Sequence, residues 1–305
     1  MPVDLTVEIA GLRLANPVLA SSGTFGYGLE FAHLVNLNQL GGLVVKGLSL
    51  EPMEGAPSPR VCETPSGMLN AIGLQNIGVR AFVAEKLPKL REYRTAVVAN
   101  VFGTCVEEYC EVLKILEDAD GLAAYELNIS CPNVKKGGLQ FGGDPVLASE
   151  VVAAARKVVS KRPLWVKLSP LVSDIGGMAR VAAEAGADAL TIANTYPAMA
   201  INAGSRTSRI ASPTGGLSGP AIKPITLRLV YEAAKTVKIP ILGLGGIEKP
   251  DDVLEYFLAG AYAVQVGTAH FVDPRASERL VSGLEKRCSE LNISKISDIR
   301  SGFRA

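Results

Sequence analysis

Asn128-Ile129-Ser130-Cys131-Pro132-Asn133 sets one thiol between two carboxamides, where an apolar run gives way to the polar loop Val134-Lys135-Lys136-Gly137-Gly138. Carboxamides can fix a flat, hydrogen-bonding ring while the sulfur takes up or releases a proton, so the six residues suit proton transfer on such a ring. A cysteine that only packs would also sit well at a strand end, because a free thiol behaves as a small hydrophobe. The neighbours separate the two readings. Ser22, Lys46, Asn100, Lys167 and Asn194 also fall at the ends of short apolar runs. Lysines after Leu43-Val44-Val45 and after Leu164-Trp165-Val166 are expensive to bury unpaired, and an anionic or electron-rich ligand would supply the partner; alternatively each lysine reaches solvent, or Lys167 pairs with Glu126, which shares a strand face with Asn128 by the period of two.

Two glycine sites extend this pattern. Gly243-Leu244-Gly245-Gly246-Ile247 and Val266-Gly267-Thr268 close two further apolar runs. Glycine lets the backbone approach an anion, and a following helix offers unpaired N–H groups, so both read as phosphate cradles. The dinucleotide fingerprint Gly-x-Gly-x-x-Gly is missing there. A third cluster, Asn70-Ala71-Ile72-Gly73-Leu74-Gln75-Asn76, sets backbone N–H groups beside an amide side chain and suits a carboxylate. By its composition it could equally be a turn before a helix near Gly78.

The elements that must position these residues can be read from the apolar runs. Pro17-Ala20, Leu43-Lys46, Ala96-Val101, Ala123-Ile129, Leu164-Leu168, Ala189-Ala193, Pro240-Gly243 and Ala263-Val266 alternate with amphipathic stretches such as Val106-Leu116, Leu147-Val159, Ile175-Ala185, Thr226-Val237 and Asp251-Ala259. Runs that are continuously apolar in the main and do not alternate with polar residues, with helices between them, predict an α/β fold, a closed parallel (β/α)8 TIM barrel filling residues 1–305 as one domain. The polar strand ends then share the C-terminal face, and the glycine sites follow strands seven and eight, where barrels often bind phosphate. Val3 to Leu14 predicts a hairpin turning at Gly11. Ser49 to Gln75 and Thr195 to Gly219, rich in Pro and Gly, are expected to be long irregular insertions over the active face.

Composition narrows the function. A net charge of +1 gives no field for nucleic acid. No apolar run approaches the roughly 20 residues that span a bilayer, and the first residues lack the order of a signal peptide, so a cytoplasmic protein with no membrane partner is expected. The 5 cysteines include no Cys-x-x-Cys, which argues against a disulfide framework, a zinc site or an iron–sulfur cluster on this chain. Cys62, Cys105, Cys110 and Cys288 are expected to pack, as are His33 and His270 or else to lie at the surface.

Taken together, Asn70-x-x-Gly-Leu-Gln-Asn, Asn128-Ile-Ser-Cys-Pro-Asn133, Ala193-Asn194-Thr195, Gly215-Gly-Leu-Ser-Gly219-Pro-Ala-Ile-Lys-Pro224, Gly245-Gly246 and Gly267-Thr268 make the chain resemble the dihydroorotate dehydrogenases over nearly its whole length. The Asn-Ile-Ser-Cys-Pro-Asn-Val-Lys and Gly-Gly-Leu-Ser-Gly-Pro-Ala-Ile-Lys-Pro runs are similar to the NAD-linked class 1B catalytic subunits. The membrane-associated class uses serine as base. The resemblance implies FMN-dependent oxidation of dihydroorotate to orotate in pyrimidine biosynthesis. Cys131 would take the C5 proton, and hydride would pass from C6 to flavin N5. A free cysteine has a pKa of about 8.5, so a rate rising with pH is expected.

By the same resemblance, FMN would be held by Ser22, Lys46, Gly47, Asn100, Asn128, Lys167, Ala193, Gly219, Gly245, Gly246, Gly267 and Thr268, with Lys167 against the flavin N1–O2 edge. Substrate would meet Lys46, Asn70, Ala71, Ile72, Gly73, Leu74, Asn128, Asn133, Asn194 and Thr195. FAD and a [2Fe-2S] cluster would belong to a separate partner subunit, around a homodimer of catalytic chains within a heterotetramer. The alternatives are a fumarate-linked class 1A enzyme, a dihydropyrimidine dehydrogenase-like subunit acting on uncharged rings, and a noncatalytic flavin- or phosphate-binding barrel.

Overall fold

The computed structural model describes residues 3–130 and 141–304. Ala10 and Gly11 take φ of 52° and 82°, the paired positive values that a two-residue hairpin turn requires. They join β1 (Val7–Ile9) to antiparallel β2 (Leu12–Leu14), whose apolar side chains enter the core, as the opening segment predicts.

β3 (Val18–Ala20) and β4 (Gly42–Val44) begin the barrel. The chain then leaves it through β5 (Val61–Thr64) and β6 (Gly67–Asn70). It returns by a helical stretch of α1 (Val79–Ala81), a π segment (Phe82–Lys86) and α2 (Leu87–Leu90). Pro88, which brings no N–H, stands in the first turn of α2, two residues after the π segment, where no intrahelical N–H bond is needed. The barrel continues with β7 (Ala96–Val101), α3 (Val106–Glu117), β8 (Ala124–Asn128), α4 (Pro145–Val158), β9 (Leu164–Lys167), α5 (Ile175–Glu184) and β10 (Ala189–Ile192). A second excursion carries β11 (Tyr196–Ala198), β12 (Ile201–Asn202), β13 (Thr207–Ser208) and β14 (Gly215–Ser218). α6 (Lys223–Ala234), β15 (Ile241–Leu244), α7 (Pro250–Leu258), β16 (Ala263–Val266), α8 (Ala269–Val272) and α9 (Ala276–Glu290) complete the order.

Eight strands close in the order β10-β15-β16-β3-β4-β7-β8-β9, every neighbour parallel. They coincide with the eight apolar runs of the sequence. Burial on both faces explains why those runs show no polar alternation. Helix starts follow local chemistry: Asp144 Oδ1 accepts from Val146 N at 2.8 Å, and Asp174 Oδ1 accepts from Gly177 N at 2.8 Å.

The two insertions correct the sequence reading. Far from being irregular, they pair as a four-stranded antiparallel sheet, β11-β14-β6-β5. Their glycines mark close backbone approach and not only turns: a methyl on Gly215 would lie 2.5 Å from Asn70 O, and one on Gly67 would collide with Ser218 O. Pro197 is tolerated because β11 is an edge strand.

Among the described residues no helix is long and apolar enough to cross a membrane. Cys288 is buried, Cys62 and Cys110 are half-buried, and Cys105 departs from the packing expectation by lying exposed at the start of α3. His270 packs at 4.6 Å from the Phe25 ring, and burial pushes its imidazole down to about 4.

Candidate active site

Where the barrel strands end, a cavity of about 500 Å³ opens beneath the four-stranded sheet. Its wall takes Ser22 after β3, Lys46 and Gly47 after β4, Asn100 from β7, Asn128 from β8 and Lys167 from β9, with Ala193, Asn194 and Thr195 after β10. Gly219, Gly245, Gly246, Gly267 and Thr268 line another part, and Asn70, Ile72, Gly73 and Leu74 reach it from the first insertion. Ala71 does not line the cavity: it packs with Leu69 and Ile210 in a small apolar cluster behind it. Cys131 and Asn133 lie outside the described residues.

The glycine end leaves its backbone open to close approach. Gly245 and Gly246 take φ of 155° and 67°, and Gly219 takes 99°, so side chains there would strain the backbone as well as fill the space. The loop is tied from behind. Asp252 Oδ2 accepts from Glu248 N and Lys249 N, both at 2.8 Å, while its Oδ1 receives Lys223 Nζ at 2.6 Å. Burial opposes the Lys223 charge, yet its bonds to Asp252 and Glu255 hold its pKa above the usual lysine value. Tyr256 donates to Gly245 O at 2.8 Å, and Thr268 Oγ1 donates to Ser218 Oγ at 2.7 Å.

The amide end is similarly fixed. Ser130 Oγ donates to Asn128 Oδ1 at 2.8 Å, Asn194 Nδ2 donates to Ser130 Oγ at 2.7 Å, and Thr195 N donates to Asn194 Oδ1 at 2.8 Å. Tyr109 holds the same segment by donating to Asn128 O at 2.9 Å. Asn128 also lines the cavity. Asn76 staples the first insertion, accepting from Gly78 N at 2.8 Å and donating to Ser49 Oγ at 2.8 Å and Leu74 O at 3.0 Å. Asn70 Nδ2 donates to Gly216 O at 3.0 Å and joins the two insertions.

Burial, and after it the Arg60 guanidinium, push the Lys46 pKa below the usual lysine value. A buried ammonium that also feels a second cation favours binding of an anion. Arg60 itself is fixed by Gln75 Oε1 at 2.6 Å, Glu54 O at 3.0 Å and Ala56 O. Its sequence setting, Ser58-Pro59-Arg60 within a loop-like stretch, carries no motif, so it was not singled out from sequence. Phe102, Ser218 and Glu248 also line the cavity without having been singled out as site residues. Ser218 sits inside the Gly-Gly-Leu-Ser-Gly run and was legible there. Among the described residues no group of His, Cys, Asp and Glu could hold a metal ion.

Comparison with known proteins agrees with this geometry. A family model described as dihydroorotate dehydrogenase matches residues 4–288. A Solibacter usitatus protein named "Putative dihydroorotate dehydrogenase A (fumarate)" is 59% identical over 299 residues, 98% of each chain. Proteins named dihydroorotate dehydrogenase B (NAD(+)), catalytic subunit, are 52% identical in Pelobacter propionicus over 98% of each chain, and 53% identical in Geobacter metallireducens over 97% of each. A crystal structure of the Eimeria tenella enzyme in complex with ferulenol superposes with a TM-score of 0.83 at 22% identity, covering 97% of this chain and 88% of that one, a likeness of fold.

Proposed function

Since the chain belongs to the dihydroorotate dehydrogenase family, we propose that its cavity binds FMN and oxidises dihydroorotate to orotate in pyrimidine biosynthesis, residues 1–305 acting as one flavin-binding unit. The observation that carries the reading is the meeting in one cavity of a glycine cradle, the amides Asn128 and Asn194, and the buried Lys46. A cradle closed to any side chain suits a phosphate, and the cavity volume of about 500 Å³ suits a bound cofactor.

Ser22, Gly47, Asn100, Lys167, Ala193, Gly219, Gly245, Gly246, Gly267 and Thr268 would hold FMN, with Lys46 and Asn128 shared between FMN and substrate. FMN, when bound, supplies the two-electron acceptor. The protein's own part is binding and proton transfer. Lys46 meets the substrate carboxylate, whose charge offsets the cost of keeping that ammonium buried. Asn128, Asn194 and Thr195 form a hydrogen-bonded chain with Ser130, which fixes how the ring's amide edge is read. Cys131, next in sequence after Ser130, is assigned as the base for C5, with Asn133 on the substrate ring. Anaerobic addition of dihydroorotate to the purified yellow protein is expected to bleach the flavin absorbance. Persistence of the oxidised spectrum would refute the activity, and bleaching at native rate in Cys131→Ser would refute the base.

Relatives named as NAD(+) catalytic subunits support an acceptor reached through a second protein, for which FAD and a [2Fe-2S] cluster are the fitting carriers, around a homodimer of catalytic chains. The Solibacter relative supports fumarate instead. Turnover with fumarate by this chain alone would decide for the fumarate type. Turnover with NAD only after adding the partner subunit would decide for the NAD type.

A further inference from the structure

Glu126 is fully buried on β8, one layer beneath the cavity, and does not line it. Its Oε1 accepts from Asn100 Nδ2 at 2.8 Å; its Oε2 accepts from Thr191 Oγ1 at 2.6 Å and from Gln265 Nε2 at 2.5 Å. Thr191 and Gln265 are themselves fully buried, on β10 and β16, so the carboxylate is gripped from three other strands of the barrel. Serving it leaves Gln265 Oε1 without a hydrogen-bond partner among the described residues. Three neutral side chains have been turned to suit one buried carboxylate, at the expense of an orphaned carbonyl.

Asn100 is the member of this set that reaches the cavity. A carboxamide can ordinarily face either way, but a carboxylate only accepts, so the Asn100 NH2 must point down to Glu126. The Asn100 Oδ1 then lies beside cavity-lining Gly47, 3.0 Å from where a methyl on that residue would stand. We propose that Glu126 is a positioning residue for the cofactor: by fixing the Asn100 amide it makes that edge of the cavity an acceptor, selecting a ring that presents an N–H. On an oxidised isoalloxazine the one such group is N3–H. The assignment rests on the flavin reading of the cavity, and it adds a residue that neither lines the cavity nor belongs to the resemblance.

The test compares FMN with 3-methyl-FMN, in which that N–H is replaced, by fluorescence titration of apoprotein from the native chain, Glu126→Gln and Thr191→Val. Native apoprotein is expected to prefer FMN by about fivefold or more, the worth of one hydrogen bond beyond any steric effect. In Glu126→Gln the amide opposite Asn100 can donate, Asn100 is free to turn, and the preference should shrink by about fivefold. Thr191→Val, which loosens the carboxylate without touching Asn100, should shrink it less. A carboxylate that only fills the barrel would leave the ratio unchanged in both variants while weakening both ligands alike, and that result overturns the proposal. Equal binding of the two flavins by the native protein overturns it even if neither variant folds. Failure of native apoprotein to bind FMN at all would instead overturn the flavin reading on which it rests.

Discussion

Gly246→Ala tests whether the glycine cradle is shaped for an anion by steric necessity. Gly246 has φ of 67°, and an added methyl would stand 2.8 Å from Lys223 Cβ, 2.9 Å from Gly219 O and 3.0 Å from Lys223 N. Two of those three atoms are backbone, held by the start of α6 and by the Lys223–Asp252 tie, so the loop and not its neighbours must give way. The left-handed backbone costs an alanine about 1–2 kcal/mol, and overpacking adds about 1–3 kcal/mol. The loop recovers part of that by moving outward, but closing on a phosphate draws it back, so about 2–4 kcal/mol should be charged to binding. FMN affinity is then expected to fall about 30- to 700-fold, measured by quenching of flavin fluorescence in apoprotein titrations. Gly204→Ala provides the control: its methyl would meet only Asn202 Oδ1 at 3.4 Å, and affinity should not change. FMN binding by Gly246→Ala within about threefold of native would refute a sterically closed cradle.

Asp252→Ala removes two backbone hydrogen bonds and the Lys223 tie together, and should lower stability by about 1–3 kcal/mol in urea unfolding with weaker FMN binding; an unchanged midpoint would show that the loop holds itself. Lys46→Met should weaken orotate binding while stabilising the ligand-free protein, because the depressed Lys46 pKa means that the folded state carries a charge it disfavours. Below that depressed pKa the cost is fully present, and it lifts as pH rises through it, so native melting temperature should gain with alkaline pH in a way Lys46→Met does not. For His270 the folded value of about 4 lies below the unfolded 6.5, so the unfolded chain binds the extra proton and stability falls as pH drops from 6.5 to 4. The loss is at most about 3 kcal/mol, and a melting profile over that window as steep in His270→Gln as in the native chain would assign it to other groups.

The barrel was legible because parallel strands buried on both faces leave continuous apolar runs, and helices between them keep their own period. The strand-end polar residues were legible for the same reason: Lys46, Asn100, Asn128 and Lys167 stand at or near the ends of predominantly apolar runs. α9 left no comparable trace, since Ala276–Glu290 is dominated by Ser, Glu, Lys and Arg and buries only a narrow stripe that includes Leu280, Leu284 and Cys288. Glu126 was visible as a carboxylate on the Asn128 face of its strand. Its partners Thr191 and Gln265 were not, because they come from strands 65 and 139 residues away.

The insertions show most clearly where local reading stops. Pro- and Gly-rich stretches signal turns when judged by neighbours in sequence, yet in β14 the glycines answer to partners across space: Gly215 to Asn70 O, and Gly216 to Thr195. The Asn70–Gly216 hydrogen bond spans 146 residues. Antiparallel register between distant segments depends on both at once, and neither segment alone carries an alternating pattern strong enough to announce it. One consequence bears on the chemistry. Asn70, which reaches the cavity from the first insertion, and Thr195, which precedes β11 of the second, both pack against β14, so the two insertions meet over the cavity in a single sheet.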